Sequence, residues 1–172
     1  MKFIGFAFTI ILFSCVEHHS HSKQNTSNPN SLIAFEENDL WGFKSTDVDA
    51  VIPPKYLIVY DFNDHGGAAV LDENGWLFIN QAGEELLKPF IFDNGPDAFK
   101  EGLARFVEEG KIGFFNPAGD VVIPAKFDFA YPFEQGQAKA CEGCESVKQG
   151  DHSVIEGGTW FKIDKTGARV EN

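Results

Sequence analysis

One short pattern recurs along the chain, and this repetition constrains the fold more than any other feature. Trp41-Gly42-Phe43 opens a unit that returns at Trp76-Leu77-Phe78, 35 residues later, and at Ile112-Gly113-Phe114, 36 residues further on. A truncated copy begins at Trp160-Phe161-Lys162. Such a period is typical of stacked or circular repeat architectures, because one unit cannot bury its own apolar face. The sequence therefore predicts an array of about 3.5 packed units.

Each full unit continues with a turn, an apolar run and a proline. A glycine seven residues after the unit's first position fits a turn that needs positive φ. These glycines are Gly83, Gly119 and Gly167. The apolar run then meets Pro53, Pro89 or Pro124, and proline ends a strand ladder or confines it to a sheet edge. We expect three antiparallel strands per unit.

The physical hairpin crosses the boundary between units. Phe35, Val70 and Phe106 each lie six residues before the start of the next unit. Polar pairs suited to tight turns lie between the two positions, and Asn-Gly is the strongest such signal. These pairs are Asn38-Asp39, Asn74-Gly75 and Glu109-Gly110. The predicted fold class is all-β, a tandem antiparallel array that stays open or closes into a barrel- or propeller-like ring.

The strings WGF at 41, VIPAKF at 122 and WFKIDKTGARV at 160 resemble the WG-repeat (KWG-repeat) family of bacterial envelope and secreted proteins. The resemblance covers residues 32–170. Leu77 and Phe161 depart from it by replacing the glycine after tryptophan, and Ile112 replaces the tryptophan. The resemblance implies a repeat architecture and supplies neither catalytic residues nor a ligand.

The first residues read as a targeting signal. Phe3 to Phe13 is an apolar run that is too short to span a bilayer as a helix. It leads into Leu12-Phe13-Ser14-Cys15, which resembles the lipobox of bacterial lipoproteins. That resemblance implies removal of residues 1–14, acylation of Cys15 and membrane attachment at the bacterial envelope. Residues 15–31, rich in Ser and Asn, are expected to form a disordered tether before a single β domain at 32–172.

The third unit carries an insertion of about a dozen residues that contains Cys141, Cys144 and His152. A disulfide that staples the base of a long hairpin loop is the first expectation, since an exported protein meets oxidising conditions. A metal site of Cys141, Cys144 and His152 is the second, although a structural zinc site takes four ligands. A redox pair is the third, and the acidic neighbours Glu142 and Glu145 disfavour a reactive thiolate.

Charge and composition narrow the function. The chain holds 26 Asp and Glu against 14 Lys and Arg, a formal net charge of −12. Nucleic-acid binding is disfavoured because it requires basic patches. No nucleophile elbow, P-loop or HExxH motif is present, so we expect no catalytic residues and no cofactor.

Aromatic residues are the remaining candidates for binding. Most fall at fixed repeat positions and are expected to form the core. Tyr56, Tyr60 and Tyr131 lie near predicted loop ends and are the expected exposed contacts. The predicted function is a binding or scaffold module for an envelope protein or peptide. A carbohydrate- or cell-wall-binding surface and a metal-binding module are the alternatives.

Overall fold

The computed structural model describes residues 32–45, 50–150 and 152–171, and this part of the chain is all-β. The predicted fold class is confirmed. None of the described residues belongs to a helix long and apolar enough to cross a membrane. The predicted signal segment and tether lie outside the described residues.

Fifteen strands follow one another along the described chain. They are β1 (Ile33–Glu37), β2 (Leu40–Lys44), β3 (Ala50–Tyr56), β4 (Ile58–Val59), β5 (Gly67–Asp72), β6 (Gly75–Asn80), β7 (Glu85–Pro89), β8 (Ile91–Phe92), β9 (Gly95–Pro96), β10 (Ala104–Glu108), β11 (Lys111–Phe115), β12 (Val121–Phe127), β13 (Phe129–Ala130), β14 (Gln137–Gln149) and β15 (His152–Asp164).

The strands form four antiparallel sheets with open ends. Their orders are β1-β2-β3, then β12-β11-β10-β7-β6-β5-β4, then β13-β14-β15, and the short pair β8-β9. Within the described chain no sheet closes on itself, so the barrel alternative is not realised. The prolines of β3 and β12 lie on edge strands, as expected, because proline cannot donate to a ladder.

The predicted boundary-crossing hairpins are present as β1–β2, β5–β6 and β10–β11. Asn38 and Asp39 both have positive φ, as do Glu109 and Gly110, and this conformation suits tight two-residue turns. The prediction was wrong by one residue in the second hairpin. Its turn is Glu73-Asn74, because Gly75 already pairs with Asp72.

The glycine of Trp-Gly-Phe faces a bulge in the following strand. Between the pairs Trp41↔Tyr56 and Phe43↔Ile52, two steps along β2 oppose four along β3. The extra residues press their backbone onto Gly42, where a Cβ atom would lie 2.7 Å from the Pro54 nitrogen. The same arrangement recurs where β12 crosses Gly113. Close backbone approach therefore requires glycine in these two units.

The two departures from this glycine follow from the same geometry. β7 meets β6 only at Phe78↔Leu87 and Ile79↔Glu85, and then turns to pair with β10. Phe161 pairs with Ala140 of β14 on one side. On the other side of β15, the described chain places only a short segment, in which Arg169 pairs with Ile163. In neither place do two steps on one strand oppose four on the next, so the neighbouring backbone leaves room for the side chains of Leu77 and Phe161.

The core forms from repeated aromatic contacts within units and shared contacts between them. The phenylalanine of each opening motif packs on a later phenylalanine of its own unit. These pairs are Phe43–Phe62 at 4.6 Å between ring centroids, Phe78–Phe99 at 6.1 Å and Phe114–Phe133 at 4.8 Å. Ile79 packs into the cluster of the preceding unit, Phe115 does the same one unit further along, and Ile163 two units further along. Each unit thus completes the core of its neighbour, as a stacked array requires.

The predicted turn glycines all have positive φ. The values are +79° at Gly83, +91° at Gly119 and +81° at Gly167. Three residues earlier, an Asn or Asp side-chain oxygen accepts two backbone N–H groups and closes the turn. These residues are Asn80, Asn116 and Asp164. Each turn therefore depends on two residues, the glycine and the Asn or Asp three residues before it. The sequence pattern predicted only the glycine.

The Gly113→Ala variant is expected to lower the free energy of unfolding by about 3 kcal/mol, because its methyl group would meet the β12 backbone. Gly102→Ala is the matched control. Gly102 has positive φ but open space around it, so the cost there is about 1 kcal/mol of backbone strain. Urea denaturation of both variants checks the difference, and equal losses would refute the bulge explanation.

Candidate functional site

The outer side of the sheet β13-β14-β15 carries two rows of side chains. In one row, Phe129 is paired with Cys141, and Cys141 with Trp160. In the next, the Tyr131 backbone N–H donates to the Lys139 carbonyl at 2.8 Å, and Lys139 is paired with Lys162. The alternate residues of β14 and β15 point to the other side and are buried in the core. We call this surface the lysine–aromatic face; it comprises Phe129, Tyr131, Lys139, Trp160 and Lys162.

The aromatic rings of this face pack around Trp160. Tyr131 lies 5.9 Å from it between ring centroids with an interplanar angle of 33°, and Phe129 lies 6.3 Å away. The Lys139 ammonium is 4.6 Å from the Trp160 centroid, within the range of a cation–π contact. Tyr131 keeps 48% of its surface exposed. The face therefore combines a fixed cation with accessible aromatic surface.

A groove of about 870 Å³ runs beside this face and is lined by three lysines, Lys100, Lys139 and Lys162. All three are exposed, and within the described chain none forms an ion pair. Glu134 is the one acidic residue of the lining. In a chain with nearly twice as many acids as bases, this is a local concentration of positive charge.

Lys139 and Lys162 face each other directly across two strands. Like charges in this relation destabilise a sheet, whereas opposite charges stabilise it. The neighbouring Lys165 does not add to the pair, because it is 3.2 Å from Glu101 and lowers the pKa of that carboxyl. Lys139 has a compensating contact with the Trp160 ring, and the described chain gives Lys162 no ion pair to offset the repulsion.

The first unit carries a counterpart of the Tyr131–Trp160 pair. Tyr60 precedes Phe62 by two residues, as Tyr131 precedes Phe133, and it packs on Trp76 at 5.5 Å between centroids. Tyr60 is 50% exposed, so the predicted exposure of Tyr60 and Tyr131 is confirmed.

The predicted exposure of Tyr56 is wrong. Its side chain is 2% exposed and belongs to the core of the first unit. The bulge in β3 places Tyr56 opposite Trp41, and the equivalent residue in β12 is the buried Phe127.

The second unit uses the same position for a buried ion pair. Asp97 takes the place of Tyr60 and Tyr131, two residues before Phe99. The Asp97 carboxylate accepts hydrogen bonds from Arg105 Nε at 2.7 Å and Nη2 at 3.0 Å. Arg105 is 3% exposed. Such a bidentate pair satisfies a buried guanidinium and gives the contact a fixed geometry.

Cys141 and Cys144 form a disulfide, in agreement with the first expectation. Both lie on β14, 6.1 Å apart between Cα atoms, so the bond does not join the two strands and the expected staple across the hairpin is wrong. The disulfide spans Gly143, which has positive φ and faces Gly158, and the strand register is the same on both sides of it. The inserted residues extend β14 and β15 as a paired ribbon in place of the predicted loop.

Asp128 ties the disulfide segment to the rest of the array. Its carboxylate accepts hydrogen bonds from the Lys111 ammonium at 2.5 Å and from the Gly143 N–H at 2.7 Å. Lys111 and then Gly143 thereby hold the pKa of Asp128 below its ordinary value. The disulfide segment is thus anchored to β11 and to the turn before β13.

The structure does not assemble the alternative metal site. His152 pairs with Gln149 at the far end of the ribbon, whereas Cys144 pairs with Gly157 nearer its base. The described residues contain no group of three or more His, Cys, Asp and Glu side chains placed to hold a metal ion. Cys15, the predicted lipidation site, lies outside the described residues.

Comparison with known proteins identifies the repeat itself. The family model described as "WG containing repeat" matches two adjacent stretches, residues 78–111 and 112–143. The chain therefore contains two recognised WG repeats, in agreement with the resemblance read from the sequence. No curated protein and no solved structure matches the chain.

The sequence analysis missed the lysines of the candidate site. Gly150-Asp151 is a dipeptide that favours two-residue hairpin turns, and a turn there places Lys139 opposite Lys162. The expectation of a loop in this insertion does not include that register. Lys100 comes to the groove through tertiary packing, which has no local signal.

The Lys162→Glu variant is expected to raise the free energy of unfolding by about 0.5 kcal/mol, because it replaces a like-charge pair with Lys139 by an opposite-charge pair. Lys148→Glu is the control: Lys148 is exposed and pairs with the uncharged Ser153, so the same charge change is made without a charged cross-strand partner. Thermal and urea unfolding measure both variants. If Lys162→Glu is no more stable than Lys148→Glu, the charge conflict is not real.

Proposed function

We propose that this chain is a non-enzymatic, lipid-anchored repeat module of the bacterial envelope that binds another protein or a peptide. The observation that carries the proposal is the lysine–aromatic face with its groove. At the position of Tyr131 the first unit has exposed Tyr60 and the second has Asp97, whereas in the third unit exposed Tyr131 and two lysines border a groove of about 870 Å³. Exposed aromatic surface beside charged groups is typical of protein interfaces.

The chemistry of the groove supports binding and not catalysis. Its side chains supply cations, aromatic surface and amides, and Glu134 has no second acid among the lining residues with which to share acid–base work. The disulfide beside the face holds both cysteines in the oxidised state, so neither offers a thiolate.

Envelope anchoring is supported by the N-terminal sequence. The apolar run, the Leu12-Phe13-Ser14-Cys15 segment and the polar stretch that follows together favour acylation of Cys15. A disulfide in the folded domain fits an exported protein, because oxidising conditions preserve such bonds.

Carbohydrate binding is the second candidate, and the two Tyr–Trp pairs favour it. Tyr60 and Tyr131 each present about half of their surface, and aromatic faces stack on sugar rings. Against it, the Lys139 ammonium occupies the face of Trp160 at 4.6 Å. The best platform of the third unit is therefore not open to a sugar.

Photo-crosslinking from the lysine–aromatic face tests partner binding. The photoreactive residue p-benzoylphenylalanine replaces Tyr131 in the full-length protein, produced in bacterial cells. We expect protein adducts at this position and none when the same residue replaces Phe92, which is 67% exposed and lies outside the groove. Absence of adducts at Tyr131, together with co-sedimentation of the protein with purified cell wall, would reject partner binding in favour of the carbohydrate alternative.

The Cys15→Ala variant tests the anchor. Without the thiol no acyl chain can be attached, so the protein is expected to move from the membrane fraction to the soluble fraction, since stable anchoring requires the acyl chains. Cell fractionation with immunoblotting measures the shift, and Cys15→Ala protein that stays with the membranes would contradict the proposed lipid anchor.

A further inference from the structure

We propose that the partner segment held by the groove is an acidic peptide whose carboxylates bind Lys139, Lys162 and Lys100. This inference deepens the proposed function and rests on it. It follows from three features of the face: its charge, the occupation of its aromatic rings, and the way the same repeat position is satisfied in the second unit.

The charge of the groove selects an anion. Three exposed lysines line it against one glutamate, and Lys139 and Lys162 are cross-strand partners without an ion pair in the described chain. A carboxylate placed between two ammonium groups relieves their repulsion and gains two charge-assisted hydrogen bonds. A ligand with several acidic groups also contacts Lys100, the third lysine of the lining.

The second unit shows how the chain itself satisfies the equivalent position. Arg105 precedes Phe106 as Lys139 precedes Ala140, and its cation is neutralised by the carboxylate of Asp97. In the third unit the place of Asp97 is taken by Tyr131, which offers no negative charge. Lys139 therefore corresponds to Arg105, but no residue corresponds to the Asp97 carboxylate. A carboxylate of the ligand would take the place of Asp97.

The aromatic rings favour a peptide over an acidic polysaccharide. Trp160 is covered by Lys139 on one face and packs against Tyr131 and Phe129, so it orients the ammonium and is not a free stacking platform. Tyr131 remains open at the groove margin and suits contact with an apolar side chain. The groove volume lies within the range of about 300–1,000 Å³ found for bound ligands, which accommodates a short chain segment.

Fluorescence anisotropy with a labelled deca-glutamate peptide tests this assignment on the detergent-solubilised full-length protein. We expect saturable binding that weakens as salt is raised, because exposed charges are screened, and no binding of deca-glutamine. In the double variant K139Q/K162Q the Kd is expected to rise about tenfold or more, equivalent to about 1.4 kcal/mol.

The double variant K88Q/K148Q is the matched control. It removes the same charge from two exposed lysines outside the groove, and its Kd is expected to change by less than about twofold. The single variant Lys162→Glu, expected to be at least as stable as the wild type, should also lose binding, which separates loss of the site from loss of folding.

Two results would overturn the assignment. One is equal weakening in K139Q/K162Q and K88Q/K148Q, which would reduce the effect to net charge. The other is binding of polygalacturonate as tight as that of deca-glutamate with the same lysine dependence, which would identify an acidic polysaccharide as the ligand class. If either result is obtained and protein adducts still form at position 131, the acidic peptide is rejected. The proposed binding of a protein partner then stands.

Discussion

The buried ion pair between Arg105 and Asp97 links the seven-stranded sheet to the β8–β9 pair and to the sheet of the third unit. Arg105 leaves β10, pairs with Asp97 beside β9, and donates from Nη1 to the Ala130 carbonyl of β13 at 2.9 Å. Its guanidinium also lies 4.1 Å from the Phe90 ring centroid. A buried cation is tolerated only when its hydrogen-bond donors have acceptors. Because the acceptors of Arg105 are Asp97 in the second unit and Ala130 in the third, this side chain holds the two units together. The lysine–aromatic face starts at the strand that Arg105 holds in place.

The position and extent of the repeat were predictable, because they depend on local chemistry. Tight turns at Asn38-Asp39 and Glu109-Gly110 and the glycines of Trp-Gly-Phe are visible in the sequence, and they set the hairpins that the structure shows. The bulges were not visible. Two steps on one strand oppose four on the next, which moves Tyr56 from an expected loop end into the core. Periodicity alone does not register such a shift, because a bulge changes which face a residue occupies without changing its spacing from its neighbours.

The candidate site was less predictable than the fold because it depends on pairing between distant residues. Tyr131 was found from its place near a loop end, but Lys139, Trp160 and Lys162 become neighbours only through the register of β14 with β15. The disulfide lies in that ladder without changing the register on either side, since Glu142 pairs with Thr159 and Cys144 with Gly157. The insertion thus lengthens the hairpin beyond the face and leaves the face itself in the geometry of the repeat.

The site follows from the position of the third unit in the array. At the equivalent position in the second unit, Arg105 is covered by Phe129 and Ala130 of the next unit and is neutralised by Asp97. Over Lys139 the described chain places no equivalent segment, and the aspartate is replaced by Tyr131. The repeat position that is buried and paired in the second unit is therefore exposed and without an ion pair in the third unit of the described chain. An acidic segment from a partner would occupy this position much as the chain's own Asp97 does one unit earlier, so recognition would extend the packing rule by which the array is built.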